Sequence, residues 1–179
     1  EMQQRLLPER SFRQEYMARF EEDAGAIYDN FTHANVSEDA EYNPALPVVW
    51  GVDDGYVFGE GIGSATYHPR VFLLAQYTPR GGINIFAEYV MCGEVEEVSL
   101  TNVINLGYPR PDVAYVDSSA AQLKARIWAM GIQTVGATHK VLEGIKNIRR
   151  LICDGQGQRL YRVHPRCVHF RREMASYRR

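Results

Sequence analysis

Apolar positions in this chain fall into short runs that stop abruptly. Val48-Val49-Trp50-Gly51-Val52 passes straight into Asp53-Asp54-Gly55. A run apolar at every position reads as a strand buried on both faces, so the carboxylates sit where that strand leaves the core. Val71–Tyr77 and Ile83–Met91 are two further strand-like runs, separated by the strong turn signal Pro79-Arg80-Gly81-Gly82. Tyr56-Val57-Phe58 can continue the first strand. Gly59 to Ser64 is glycine-rich but lacks the lysine of a phosphate-binding loop, and it reads as a hairpin connection. Three strands joined in this way form an antiparallel meander.

The period then changes. Glu94–Leu106 places Val95, Val98, Val103 and Leu106 at helical spacing, and Pro109-Arg110-Pro111 breaks the chain. Val113–Val116 is a fourth strand ending at Asp117. Ser118 or Ser119 can cap a helix over Ala120–Met130, closed by Gly131. Ile132–Ala137 is a fifth strand, Leu142–Ile152 a helix, Arg159–Val163 a short sixth strand and Val168–Arg179 a last helix. Ahead of all this, residues 1–23 read as a helix with a Ser11/Gln14 capping box and Phe12, Tyr16, Met17 and Phe20 on one face. Ala26–Phe31 is a short apolar piece and 33–47 a polar loop. Residues 1–47 are therefore a lead-in, and 48–179 the domain proper.

Composition excludes several classes. At 179 residues, 45% hydrophobic and 23% charged, the chain is long enough for one good core. No run approaches the roughly 18 apolar residues that span a bilayer, and the first twenty residues are too charged for a signal peptide. Cys92, Cys153 and Cys167 form no C-x-x-C pair, which fits a reducing compartment and no zinc site. The net charge of −2 hides an asymmetry. His139–Arg179 holds 11 Lys and Arg against 3 Asp and Glu, and the rest holds 9 basic against 19 acidic residues. A basic surface near an acidic site suits nucleic acid meeting a metal-loaded carboxylate cluster.

A meander followed by helix, strand, helix, strand resembles the ribonuclease H-like fold, an α/β mixed sheet with helices on both faces. In that arrangement the first and fourth strands are parallel neighbours, which brings Asp53 beside Asp117. Two adjacent carboxylates repel one another unless a cation intervenes. Mg²⁺ or Mn²⁺, one ion or two, is the natural partner, and in pairs such ions activate water against a phosphodiester. The competing reading makes Asp53 or Asp54 the start of a turn before Gly55 and Asp117 a helix cap.

A further resemblance rests on stretches in order along nearly the whole chain. They are Phe12-Arg13-Gln14-Glu15-Tyr16, Gly51-Val52-Asp53-Asp54-Gly55, Tyr115-Val116-Asp117, Gly131-Ile132, Ala137-Thr138-His139-Lys140, Gly144-Ile145, Arg149, and Glu173 with Tyr177. Together they resemble the C-terminal nuclease domain of the large terminase subunit of tailed bacteriophages. The resemblance implies a metal-dependent endonuclease cutting concatemeric double-stranded viral DNA during genome packaging, in the host cytoplasm and away from any membrane. It also implies an upstream ATPase domain, with which the absence of an initiator methionine agrees, and a portal protein and small terminase subunit as partners.

Asp53 and Asp117 are the expected catalytic and metal-binding acids. Asp54 is either an extra ligand or turned away by strand alternation, and Glu88 is an outer or alternative ligand. Lys140, Arg149, Arg150, Arg166, Arg171 and Arg172 are candidate contacts to DNA phosphates. The family's third acid follows the Glu-x-x-x-Tyr helix, and this chain ends just beyond Tyr177. The expectation is a missing tail or an incomplete site that holds one metal better than two. Two rival readings are a resolvase- or transposase-type nuclease on the same fold, and a catalytically incomplete DNA-binding or docking module.

Overall fold

A computed structural model of the chain describes residues 25–55, 68–136 and 140–178. The expected helix over 1–23, the continuation at Tyr56–Phe58, the hairpin at 59–64, residues 137–139 and Arg179 lie outside the described residues.

Among the described residues six strands form one mixed sheet: β1 (Val49–Asp53), β2 (Arg70–Tyr77), β3 (Ile83–Met91), β4 (Val113–Val116), β5 (Gln133–Gly136) and β6 (Tyr161–Val163). Their order is β5-β4-β1-β2-β3-β6. The first three are antiparallel. The pairs β1–β4, β4–β5 and β3–β6 are parallel. Among the described residues four helices accompany them: α1 (Glu96–Ile104), α2 (Ala121–Ala129), α3 (Val141–Ile152) and α4 (Val168–Ser176). The expected α/β sheet of ribonuclease H type, with a meander first and parallel strands after it, is the observed one.

By compactness the chain divides into two units. One comprises 43–76 and 87–138. Its strands bury Trp50, Val52, Phe72, Leu74, Ala114 and Val116, and its helices bury Leu100, Val103, Leu123 and Ile127. Trp50 meets Phe72 edge-on at 5.5 Å between ring centroids, the arrangement aromatic quadrupoles favour. Residues alternate along a strand, so Gly51, Asp53 and Tyr115 belong to the opposite face, and that face stays partly open, with Tyr115 39% exposed. The loop before β1 is tied down by buried Gln76, whose side chain bonds the backbone of Asn43 and Leu46.

The other unit comprises 1–42, 77–86 and 139–179. Its lead-in contains two short 3-10 turns, His33–Asn35 and Glu38–Ala40, within the stretch expected to be plain loop. Asn35 is fully buried there. Its amide donates to the carbonyls of Ile152 and Tyr161 at 2.8 and 2.9 Å, and its carbonyl oxygen accepts from Arg159 at 2.8 Å. The turn between β2 and β3 needs Gly82, because a Cβ there would lie 2.3 Å from the carbonyl oxygen of Leu160.

Candidate metal centre

The register of the two central parallel strands sets the site. Val52 pairs with Val116, so the next residue on each strand is an aspartate at the carboxyl end, Asp53 beside Asp117. Both residues are exposed. Clefts at the carboxyl ends of neighbouring parallel strands are where α/β sheets place ligands. Although Asp53 as a residue is open, its carboxyl is set partly into the strand ends. That partial burial is the largest cause of a pKa raised above the ordinary aspartate value, followed by the charges of Asp117 and Asp54, with His68 drawing it back.

Asp117 carries a second job. Its Oδ1 accepts from the backbone N–H of Ser119 at 2.7 Å and from the Ser119 hydroxyl at 2.8 Å. This turn is what starts α2. Neither serine caps that helix with its own side chain, as the sequence suggested; the cap position is Ala120, without a side-chain bond. Serving the turn does not remove Asp117 from the site, because a carboxylate has about four acceptor positions.

Asp54 takes the opposite side of β1. Its Oδ1 accepts from Nε of Arg70 at 2.7 Å, and Arg70 is 3% exposed. Glu88 is half-buried on β3, two strands from β1, and is not among the charges that act on Asp53. Among the described residues no group of three or more His, Cys, Asp or Glu forms a metal-holding cluster.

The expected phosphate contacts belong to the other unit. Lys140 is exposed just before α3, 3.3 Å from Glu143. Arg149 is mostly buried and pairs with Asp29 at 2.7 Å. Arg166 is bound to Glu41 and donates from Nε to Nδ1 of His164 at 2.9 Å. Arg171 donates to the carbonyl of Pro165 at 2.8 Å. Arg150 is half-buried and Arg172 exposed. Three of the five arginines are thus engaged within the chain.

The donor set at Asp53 and Asp117 suits a hard divalent cation. Carboxylate oxygens are the preferred ligands of Mg²⁺, which keeps several waters and needs only one or two protein carboxylates. The upward shift at Asp53 comes first from partial burial and then from the charges of Asp117 and Asp54, and a cation offsets both causes.

No protein-family model and no curated protein sequence matches the chain. Solved structures do. The large terminase of a thermophilic bacteriophage superposes with a TM-score of 0.72 at 21% identity, over 99% of this chain and 43% of that one. The same protein in complex with ADP gives 0.68 at 22% identity, over 86% and 37%. The large terminase nuclease from thermophilic phage G20c, solved with bound magnesium, gives 0.55 at 15% identity, over 87% and 82%. The fold is that of a large terminase nuclease domain. This chain spans 43% of the first of these terminases and is of a size with the isolated G20c nuclease.

On this terminase nuclease fold, three residues lie beside the acids in roles their sequence context does not reveal. His68 lies just before β2 and acts on Asp53 because the antiparallel register sets Val71 opposite Asp53. Arg70 looks like any strand-edge cation until its burial is known. Ser119, a candidate cap in the sequence, is instead a donor to Asp117. The turn at Gly81-Gly82 fixes only β2 against β3; it is the β1–β2 register, with Val71 opposite Asp53, that brings His68 and Arg70 to the end of β1.

Proposed function

We propose that this chain is a divalent-metal-dependent endonuclease domain acting on double-stranded DNA, the nuclease part of a phage packaging terminase. The observation that carries the reading is the placement of Asp53 and Asp117 at adjacent carboxyl ends of parallel β1 and β4. They stand on a fold shared with a terminase nuclease that binds magnesium. Asp53 and Asp117 would hold Mg²⁺ or Mn²⁺. The cation supplies activation of water and neutralisation of charge at the phosphodiester.

The chain's own residues do the remaining work. Ser119 fixes Asp117 by holding one of its oxygens. His68 places positive potential beside Asp53 when protonated. Lys140, Arg150 and Arg172 are the proposed backbone contacts, giving salt-dependent and sequence-independent affinity. The role follows the same reading: cutting concatemeric viral DNA in the host cytoplasm, in an assembly with an ATPase domain, a portal protein and a small terminase subunit.

A second reading is a DNA-binding or docking module with an incomplete site. It is favoured by the one observation that two acids, not three, come together among the described residues. Supercoiled plasmid incubated with the protein and Mn²⁺ separates the two. Nicking and linearisation that disappear in Asp53→Asn, in Asp117→Asn and in EDTA support the nuclease. DNA retention without any cleavage supports the docking module.

A further inference from the structure

Asp53 and Asp117 are held differently. Ser119 bonds Asp117 directly, whereas among the described residues no hydrogen bond holds the Asp53 carboxylate. The aim of Asp53 must therefore come from its backbone, at the point where β1 ends. Two contacts fix that point. Gly55 passes so close to the chain before β2 that a Cβ on it would lie 2.2 Å from the carbonyl oxygen of Pro69. Asp54, the residue after Asp53, is tied by its side chain to Arg70.

Arg70 is itself locked. Its Nη1 donates to the backbone carbonyl of Glu94 at 2.9 Å and to the hydroxyl of Ser99 at 3.1 Å. The Glu94 carboxylate is held in turn by the Ser99 hydroxyl at 3.0 Å, the Tyr89 hydroxyl at 2.6 Å and the Asn102 amide at 3.1 Å. The network joins the exit of β1, the start of β2, a residue of β3 and the head of α1. A buried guanidinium that lost Asp54 would be an uncompensated charge, so the pair is strongly constrained to stay closed.

We propose that Arg70 is a positioning residue for the metal centre: by gripping Asp54 behind the strand, it holds β1 so that Asp53 faces Asp117. The inference rests on the metal-site reading above and deepens it. It also assigns Asp54 to the support of the site and not to its ligands.

The test is Mn²⁺ binding to the whole chain by isothermal titration calorimetry, with thermal unfolding in EDTA alongside. The variants are Arg70→Met, Arg70→Lys and Asp53→Asn. Loss of an outer partner of a metal ligand typically weakens metal affinity by about 10-fold or more. Arg70→Met is expected to do so. Arg70→Lys, which keeps the charge but not the planar fork, is expected to regain melting temperature without regaining affinity. A lowered melting temperature with unchanged Mn²⁺ affinity would make Arg70 merely structural and overturn the proposal. Tighter Mn²⁺ binding in Arg70→Met would overturn it differently, by showing that a released Asp54 is a ligand.

Should Arg70→Met fail to fold, Ser99→Ala withdraws one acceptor from Arg70 without baring a charge. It is expected to weaken Mn²⁺ binding in the same direction, and unchanged affinity there refutes the positioning role. Mn²⁺ binding that Asp53→Asn leaves intact overturns the site reading itself, and the inference with it.

Discussion

Replacing Asp53 by Asn should stabilise the metal-free protein, the reverse of what removing a structural aspartate does. The reasoning is electrostatic. In the folded chain, partial burial and the charges of Asp117 and Asp54 raise the pKa of Asp53, against a smaller pull from His68. An acid with a raised folded pKa binds its proton more tightly in the native state than in the unfolded one, so stability falls as pH rises through the folded value. Above that pH the ionised carboxylate opposes folding, and below the unfolded value the effect is absent. Asp53 and Asp117 are exposed as residues, so the relief is that of a surface pair, up to about 1 kcal/mol. For a chain of this length that is a rise of up to about 4 °C. Mn²⁺ should reverse the order of the two proteins. At a hundred times its dissociation constant it adds about 2.7 kcal/mol to the native protein, or about 5–11 °C, and almost nothing to Asp53→Asn. Differential scanning calorimetry in EDTA and then in Mn²⁺, at neutral pH and again near pH 3, measures all of this. A variant that melts clearly below the native chain in EDTA at neutral pH would refute the argument, because Asp53 would then be making a favourable contact in the fold.

Two further substitutions probe the framework. Gly55→Ala places a methyl 2.2 Å from the carbonyl oxygen of Pro69 and 2.5 Å from that of His68. Backbone has to move, at an expected cost of about 1–3 kcal/mol; an unchanged urea midpoint would show that the exit of β1 is slack. Asn35→Ala removes the donor to Ile152 and Tyr161 and the acceptor of Arg159. With about 1–3 kcal/mol for a buried group left unsatisfied, a loss of at least about 2 kcal/mol is expected in denaturant titration, and a loss too small to detect would mean the two 3-10 turns are not anchored by Asn35.

The sheet was legible where apolar runs are bounded by strong stop signals. β3 lies between Gly82 and the polar head of α1, and β4 between Pro111 and Asp117; both have the ends their sequences suggest. β6 is shorter than its run, because Arg159 is drawn off to Asn30 and Asn35, and because the N–H of Leu160 bonds the carbonyl of Leu151. The turns at His33–Asn35 and Glu38–Ala40 were invisible for a different reason. Three residues carry no periodicity, and what fixes Asn35 is a set of carbonyls more than a hundred positions away.

The acids and the bases differ in what a sequence can reveal about them. Asp53 and Asp54 are chemically identical neighbours, yet strand alternation alone sends them to opposite faces, and the partner waiting on each face decides the role. Counting charge gives no such help. The basic excess after His139 suggested a phosphate-binding surface, but Arg149 is closed on Asp29 and Arg166 on Glu41, partners 120 and 125 positions distant. A mostly buried pair such as Arg149–Asp29 cannot open without stranding a charge. The fully surface pair Lys140–Glu143 has side chains 75% and 63% exposed, and such pairs contribute about 0–1 kcal/mol. Drawing Lys140 away from Glu143 therefore costs little, whereas drawing Arg149 away from Asp29 is expensive. Burial of the partner, more than the number of arginines, sets how much of the basic third is open to a nucleic acid backbone.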